Sequence, residues 1–288
     1  VDVGFRRCGV LKVALDASEL EELDRQAERL RVQGVRCQQW SAEELLREEP
    51  SIHPDALGAL NMAEDAQVEP RKLLSAVALG AEREGVRFRT GSTVRSVQVS
   101  GGRVRGVELA DGPLEGDRVV VAAGSWTTQI PGLPLQPDTI YPVRGQMITT
   151  QTRPPLFRRV VFGAEGYVVT RPDGRVLCGS TMERVGFSRG NTFGGLSDVI
   201  DKATRIAPSL REAVVESHWS SFRPGTPDGL PLVGETRVEG LFLASGHYRN
   251  GILLAPLTAE LIADAFRGES DSREARALSP RRFEESGT

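Results

Sequence analysis

Apolar residues recur every three or four positions in five stretches of the chain, and this spacing predicts five helices. The string S-E-L-E at residues 18–21 has the form of a capping box and predicts where the first helix begins, while Gly34 predicts where it ends. A second capping box, S-A-E-E at residues 41–44, opens a short helix that Pro50 stops. The predicted helices cover residues 18–34, 41–50, 69–84, 196–207 and 252–266.

Short apolar or alternating stretches between these helices have the spacing of β-strands. Turn signals separate them, among them S-G-G-R at residues 100–103 and P-D-G at residues 172–174. Strands follow one another closely between residues 137 and 224, which predicts an antiparallel sheet, and the proline-rich residues 131–137 indicate a crossing between two domains. The predicted strands cover residues 4–14, 57–62, 86–88, 93–99, 104–109, 118–126, 140–148, 160–162, 166–170, 175–179, 214–222 and 241–244.

Composition excludes several classes of function. With 39% hydrophobic and 26% charged residues, the 288-residue chain is expected to be globular, and a net charge of −3 argues against nucleic acid as a partner. No apolar run approaches the roughly 20 residues that span a bilayer, so no membrane association is expected. Cys8, Cys37 and Cys178 are odd in number and far apart, which favours a reducing, cytoplasmic location without disulfides. Three histidines are too few for a credible metal centre.

The stretch at residues 241–266 carries the clearest chemical signal. An apolar run at 241–244 predicts a buried strand, a glycine-bounded loop at 246–251 predicts a sharp turn, and a helix follows, in which Pro256 is expected to lie in the first turn. Such a helix N-terminus directs backbone N–H groups and partial positive charge at one point. The loop therefore suits a ligand that carries or acquires negative charge, although an ordinary strand-to-helix turn would have the same outline.

The residues of this loop favour the ligand interpretation. The string G-H-Y-R-N-G-I-L-L-A-P at residues 246–256 resembles the C-terminal flavin-binding segment of glycine oxidases, which are members of the FAD-dependent D-amino acid oxidase family. The resemblance covers nearly all of residues 1–266. It implies that this loop steadies negative charge near N1 and the C2 carbonyl of a flavin. The implied FAD contacts in the loop are Gly246, His247, Tyr248, Arg249, Asn250, Gly251 and Ile252.

The resemblance also implies an α/β fold of mixed α+β character. Residues 67–136 and 225–266 would form an incomplete, Rossmann-like FAD-binding domain. Residues 1–66 and 137–224 would form a substrate domain built on an antiparallel sheet with flanking helices, and residues 267–288 a frayed, charged tail. Further FAD contacts are implied by A-A-G-S-W at 122–126, by V-R-G-Q at 143–146 and by the position of one valine near the adenine. These contacts are Ala123, Gly124, Trp126, Gly145, Gln146 and Val94.

Arg223 is the strongest candidate for binding a substrate. A guanidinium group matches a carboxylate in a bidentate arrangement, although an arginine before a Pro-Gly turn is more often a solvated charge. The string W-S-S-F-R-P-G-T-P-D-G-L-P-L-V-G at residues 219–234 resembles the glycine-oxidase segment whose arginine holds the substrate carboxylate. By the same resemblance, Tyr167 in G-Y-V-V-T-R would help to hold that carboxylate, and Arg249 would be a third catalytic residue.

The implied activity is oxidation of glycine, sarcosine or D-alanine by FAD and O2, with release of hydrogen peroxide and a role in thiamine thiazole synthesis. A homo-oligomer, such as a tetramer, is also implied. A dinucleotide fingerprint is not seen in the sequence, since G-G-R-V-R-G at residues 101–106 has the wrong spacing. We therefore expect an N-terminal βαβ unit of roughly 30 residues or more to be missing. The alternatives are a flavin-dependent D-amino acid dehydrogenase and a non-catalytic fragment that binds a partner or a small carboxylate.

Overall fold

The computed structural model describes residues 1–283, which form two compact units. The first unit comprises residues 1–86, 145–183 and 189–221, and the second comprises residues 87–144, 184–188 and the described chain from 222 onward. Each unit is therefore assembled from segments that are far apart in sequence.

Residues 67–86 belong to the first unit, whereas the sequence-based boundary placed them with residues 87–136. Buried Arg171 explains the difference, because its Nη1 donates hydrogen bonds to Gln67 Oε1 at 2.8 Å and to the Val68 carbonyl at 3.0 Å. A backbone hydrogen bond from Arg6 to Gln67 holds the same segment. The assignment of the units to cofactor and substrate stays a prediction.

All five predicted helices are present, and a sixth occurs near the C-terminus. The side chain of Ser41 caps α2 as predicted, whereas Asp16 rather than Ser18 caps α1, accepting a hydrogen bond from the Glu19 amide at 3.0 Å. Short 3₁₀ helices cover Gly124–Gln129, Pro208–Glu212 and Pro280–Phe283. The α-helices are α1 Ala17–Val32, α2 Ala42–Glu48, α3 Pro70–Arg83, α4 Phe193–Ile206, α5 Gly251–Arg267 and α6 Arg273–Leu278.

The described residues contain fourteen strands. They are β1 Val10–Ala14, β2 Gln38–Ser41, β3 Gly58–Met62, β4 Val94–Ser100, β5 Arg103–Leu109, β6 Gly112–Glu115, β7 Val119–Val121, β8 Tyr141–Gln151, β9 Val160–Phe162, β10 Tyr167–Thr170, β11 Arg175–Gly179, β12 Ser217–Gly225, β13 Leu232–Glu235 and β14 Leu241–Ser245.

An eight-stranded sheet organises the first unit, in the order β12-β8-β11-β10-β9-β1-β3-β2. Its recorded pairs are antiparallel except for β1 with β9, which confirms the predicted antiparallel sheet. Alternate side chains of the strands enter a core with α4, in which Leu11, Val161, Val168 and Val176 are fully buried.

Two three-stranded sheets organise the second unit, in the orders β13-β14-β7 and β4-β5-β6. Strand β14 pairs parallel to β7 and antiparallel to β13, so it lies at the centre of its sheet, as its apolar sequence predicts. Val104, Leu232, Leu241 and Leu243 are fully buried in a core that both sheets share. This core fixes the end of β14, where the glycine-bounded loop begins.

Three strand predictions were too long or wrong. Residues 86–88 are not in a strand, and Val86 and Phe88 are about half exposed. The first strand begins only at Val10, because Gly4 and Gly9 adopt positive φ and interrupt the extended backbone. The strand predicted for 118–126 is only Val119–Val121, since Gly124 has a φ of +55° and opens a 3₁₀ helix.

Pro256 lies in the second turn of α5 rather than the first, because the helix already begins at Gly251. A proline at this position has no N–H to donate to the carbonyl of Ile252, four residues earlier. Ile252 is 50% exposed, so water can reach this carbonyl. No helix in residues 1–283 is long and apolar enough to cross a membrane.

The segment after α5 is not a frayed tail as far as residue 283. Phe283 packs against the core of the second unit, and Arg282 donates hydrogen bonds to Asp228 at 2.7 Å and to the carbonyls of Leu230 and Pro231 at 2.8 and 2.9 Å. The sequence suggested fraying because few apolar residues anchor this segment, but hydrogen bonds from arginine side chains supply the anchor. Residues 284–288 lie outside the described residues.

We predict that Arg282→Ala lowers the free energy of unfolding by about 1–3 kcal/mol, because it leaves the buried Pro231 carbonyl without its charged donor. Urea denaturation measures this change. Arg276→Ala is the matched control, since it removes an exposed ion pair with Asp271 and should cost less than about 1 kcal/mol. Equal losses in the two variants would show that Arg282 is not an anchor.

Candidate functional site

The loop at residues 246–251 joins β14 to α5 and has a backbone that few sequences can adopt. Gly246 has a φ of +78°, and a Cβ added there would lie 2.7 Å from Thr226 Cγ2. Glycine is therefore required for both conformation and space. Tyr248 has a φ of +48°, an uncommon conformation for a residue with a side chain. The backbone is therefore strained at Tyr248, as is common in ligand-binding loops.

The N-terminus of α5 has neither a side-chain cap nor an acidic residue in its first turn, since the Asn250 side chain makes no capping hydrogen bond. Leu253, in this turn, is 78% exposed. The partial positive charge of a 17-residue helix is thus available to a negatively charged group at this end.

A chain of hydroxyl groups connects this loop to the turn after β7. Thr127 Oγ1 donates to Ser245 Oγ at 2.9 Å, and Ser245 Oγ donates to the Gly124 carbonyl at 3.0 Å. Ser245 and Thr127 are fully buried. The structure therefore brings Ala123 and Gly124 beside the start of the 246–251 loop. Sequence reasoning missed Ser245 and Thr127, for which a polar residue at the end of an apolar strand was the available signal.

Arg223 and the 246–251 loop lie in the same unit, and a backbone hydrogen bond joins their two segments. The Tyr248 amide donates a hydrogen bond to the Pro224 carbonyl at 2.9 Å, one residue beyond Arg223. Arg223 is half-buried, whereas Arg249 and Asn250 are exposed. The end of β12 and the start of α5 are thus held together, as a site formed by both would require.

Three aromatic rings, here called the aromatic cluster, pack together in the second unit: Trp126, Phe187 and Phe222, of which Phe222 directly precedes Arg223 in β12. Trp126 packs against Phe222 at 5.9 Å and against Phe187 at 5.8 Å between ring centroids, while Phe187 and Phe222 are 5.6 Å apart. Trp126 is still 42% exposed. The cluster provides an apolar, partly accessible surface. Sequence reasoning identified Trp126 but missed Phe187 and Phe222, although Phe222 directly precedes Arg223.

His247 lines an apolar cleft of about 480 Å³ between β7, β14 and α5. Its Nε2 is 2.8 Å from the Oγ1 atom of Thr258, a residue of α5. Burial lowers the pKa of the His247 imidazole below its ordinary value, which favours the neutral ring. Alanine side chains from all three elements line the cleft: Ala122, Ala244, Ala255, Ala259 and Ala263.

Three predicted site residues belong to the first unit: Gly145, Gln146 and Tyr167. Gly145 is buried in β8. Tyr167 begins β10, and its hydroxyl lies 3.3 Å from Met147 Sδ while its ring packs 5.3 Å from Phe162. Its predicted role stays a prediction.

Gln146 has a structural role that the sequence did not reveal. Its side-chain Nε2 donates to Glu183 Oε1 at 2.8 Å, its Oε1 accepts from the Thr192 amide at 2.8 Å, and its own amide donates to Thr181 Oγ1 at 2.9 Å. Gln146 is fully buried. Because the polar groups of Gln146 already bond to the protein, fewer of them are available to FAD. Its FAD contact stays a prediction.

Val94 lies in a different sheet of the second unit from the 246–251 loop. It begins β4, pairs with Leu109 of β5 and is half-buried. The predicted contacts in the second unit thus divide into a group at the ends of β7, β12 and β14 and this separate position on β4.

The sequence matches the family described as FAD dependent oxidoreductase (DAO) over residues 1–265. It is 35% identical over 289 residues to the bifunctional protein ThiO/ThiG of Synechocystis sp., covering 98% of this chain but 42% of that protein. It is 34% identical over 271 residues to the glycine oxidase of Geobacillus kaustophilus, covering 92% of this chain and 71% of the relative. The chain therefore spans less than half the length of the bifunctional relative.

The fold agrees with this family. The crystal structure of glycine oxidase from Geobacillus kaustophilus superimposes with a TM-score of 0.91 at 30% identity, covering 98% of this chain and 76% of that chain. The sequence match, the superposition and the uncapped helix N-terminus beside Arg223 lead to one assignment. This chain belongs to the DAO family of FAD-dependent oxidoreductases.

Proposed function

We propose that the protein carrying this chain oxidises glycine or another small amino acid, such as sarcosine or D-alanine, with FAD and O2. The observation that carries the proposal is the backbone hydrogen bond between Tyr248 and Pro224, which sets a half-buried arginine beside an uncapped helix N-terminus. The arginine suits a carboxylate, and the helix N-terminus suits a ring that acquires negative charge. The relatives named glycine oxidase support the substrate class.

The residues of the second unit fit a flavin at the start of α5. The first turn of this helix offers backbone N–H groups and contains no acidic residue, and Gly246 allows the approach of the loop backbone. In our proposal, residues 246–252, Ala123, Gly124 and Trp126 would hold the ring system, and Gly145, Gln146 and Val94 stay predicted FAD contacts. When bound, FAD supplies the oxidising power, accepting two electrons from the amino acid and passing them to O2.

The chain's own residues bind and orient the substrate. In our proposal, Arg223 and Arg249 of the second unit form a clamp that holds the carboxylate, and the Tyr167 hydroxyl stays a predicted further contact. Fixing the carboxylate sets the orientation of the Cα–H bond in the bound substrate, and the carboxylate is held equally in the ground state and in the transition state.

Neutral His247 suits this arrangement. Its ring directly precedes the loop residue that bonds to Pro224, and burial disfavours a second positive charge there. The helix N-terminus, Arg223 and Arg249 then supply the positive potential at this end of the site. We propose that the His247 imidazole has a structural role, in which its hydrogen bond with Thr258 holds the loop to α5. In this proposal it does not transfer a proton in the reaction.

The setting of the reaction completes the proposal. The likeness to bifunctional ThiO/ThiG supports a role in thiamine thiazole synthesis, and we propose a cytoplasmic homo-oligomer, such as a tetramer. The alternatives are a D-amino acid dehydrogenase that passes electrons to a carrier and a non-catalytic fragment. Production of peroxide from glycine in air by the complete gene product separates the oxidase from both, since neither alternative releases stoichiometric peroxide.

We predict that Arg223→Ala raises the KM for glycine roughly 10- to 150-fold, because a charge-assisted hydrogen bond contributes about 1.5–3 kcal/mol. Arg223→Lys should recover part of this loss, since an ammonium keeps the charge but not the bidentate geometry. Oxygen-electrode kinetics measure both variants. Arg87→Ala, at an exposed arginine, is the matched control. A KM unchanged by Arg223→Ala would remove this residue from the carboxylate site.

We predict that the imidazole of His247 titrates below about pH 6.5, the ordinary value for histidine, in an NMR pH titration of the folded protein. The unfolded chain then binds this proton more readily, so the stabilising contribution of the neutral ring is complete above about pH 6.5 and is lost as the pH falls through the folded-state pKa.

Urea unfolding at several pH values tests the sign of this effect. His247→Gln should show a smaller loss of stability on acidification than the parent protein, and His218→Gln, at an exposed histidine, is the control. A midpoint at or above pH 6.5 for His247 would contradict the proposed neutral ring.

A further inference from the structure

Tyr141 lies directly against the turn that follows Arg223. A Cβ placed on Gly225 would lie 2.6 Å from Tyr141 Cε2 and 2.9 Å from Cζ, so the ring packs on the backbone of this glycine. The Tyr141 hydroxyl donates a hydrogen bond to the Thr226 carbonyl at 3.2 Å. The Tyr141 side chain therefore contacts Gly225 and Thr226, the second and third residues after Arg223.

Arg184 fixes the direction of this hydroxyl. Its Nη2 donates to the Tyr141 oxygen at 2.8 Å, and its Cζ lies 4.4 Å from the centroid of the same ring. A guanidinium group can only donate, so the tyrosine oxygen accepts from Arg184 and its proton is left for the Thr226 carbonyl. The arrangement has a single orientation, which suits a group that must hold backbone in place.

The segment carrying Arg184 is itself anchored. Residues 184–188 belong to the second unit, whereas the residues on either side cluster with the first. Phe187 packs on Phe222 at 5.6 Å, and Arg144 Nη1 donates to the Ser188 carbonyl at 3.2 Å. Arg184 is thus presented by a fixed segment, although its side chain is exposed.

The turn itself is closed on its far side. Buried Thr226 accepts a backbone hydrogen bond from Gly229 at 3.2 Å, and its Oγ1 donates to the Leu230 carbonyl at 2.9 Å. The Tyr248 amide holds the Pro224 carbonyl at 2.9 Å. Tyr141 supplies the remaining restraint, at Gly225 and Thr226, so that the backbone after Arg223 is held from both directions.

We propose that Tyr141 is a positioning residue for Arg223 and that Arg184 orients it. The inference rests on the proposed function, in which Arg223 binds the substrate carboxylate. The hydroxyl of Tyr141 keeps the turn in the position at which the Arg223 guanidinium meets that carboxylate. Loss of the hydroxyl weakens carboxylate binding without altering the chemical step, because the carboxylate is held equally before and during reaction.

Tyr141→Phe tests the inference in the FAD-loaded product of the complete gene. The variant keeps the ring on Gly225 but lacks the hydroxyl. A hydrogen bond of this kind contributes about 0.5–1.5 kcal/mol, so the KM for glycine and the Kd for acetate, measured by calorimetry, should rise roughly 2- to 12-fold. The kcat should change by less than about twofold. A merely structural role would lower stability without this division between KM and kcat.

Arg184→Gln and Arg184→Lys provide a second series. Arg184→Gln should raise the Kd for acetate in the same direction as Tyr141→Phe, and Arg184→Lys should recover part of the binding because it keeps a cationic donor. Arg87→Gln, at an exposed arginine, is the matched control and should leave the Kd unchanged. Equal effects of Arg87→Gln and Arg184→Gln would overturn the role of Arg184.

A double-mutant cycle distinguishes failure of the inference from failure of the proposed function. If Tyr141 acts through Arg223, Tyr141→Phe has no further effect on acetate binding in an Arg223→Ala background. If Arg223→Ala weakens binding and Tyr141→Phe does not, the inference is wrong while the function stands. If Arg223→Ala itself leaves binding unchanged, the proposed carboxylate clamp is wrong, and the positioning role falls with it.

Discussion

The backbone hydrogen bond from the Tyr248 amide to the Pro224 carbonyl is the constraint on which the candidate site depends. It joins the end of β12, which carries Arg223, to the loop that opens α5. Without it, the cation and the helix N-terminus would belong to independent loops. The uncommon φ of Tyr248 and the positive φ of Gly246 are the local cost of placing this amide where Pro224 can accept from it.

Hydrogen bonds from buried polar side chains hold remote segments together, as apolar packing does elsewhere in the structure. Gln146, Arg171 and Ser245 each satisfy backbone or side-chain groups of a segment remote in sequence. Such groups are costly to bury alone, so each fixes its partner segment specifically. The effect is to define loops and turns, which have too few apolar residues to define themselves. Arg282 does the same for the turn that contains Asp228.

Local sequence predicted much of the fold because its signals are local. The Ser41 capping box, the hairpin at residues 100–103 and the apolar run of β14 need only neighbouring residues to act. Predictions were wrong where distant residues decide. The helix positions of residues 273–283 depend on packing of Phe283 and on the hydrogen bonds of Arg282, and the turn that ends β7 is held by the hydrogen bond from Ser245 to the Gly124 carbonyl.

The sequence by itself determined the first five helices, most of the strands, the glycine-bounded loop before α5 and the identity of Arg223 as the candidate cation, but it missed β2, β6, β13 and α6. It also determined the family, because the match to the DAO family extends over residues 1–265 of the sequence. Only the tertiary structure decided that Trp126, Phe187 and Phe222 meet, that Gln146 is engaged in a network, and that Tyr141 and Arg184 hold the turn after Arg223. The physical reason is that a side chain's partner depends on how separate segments pack, and the spacing of residues along one segment carries no record of that packing.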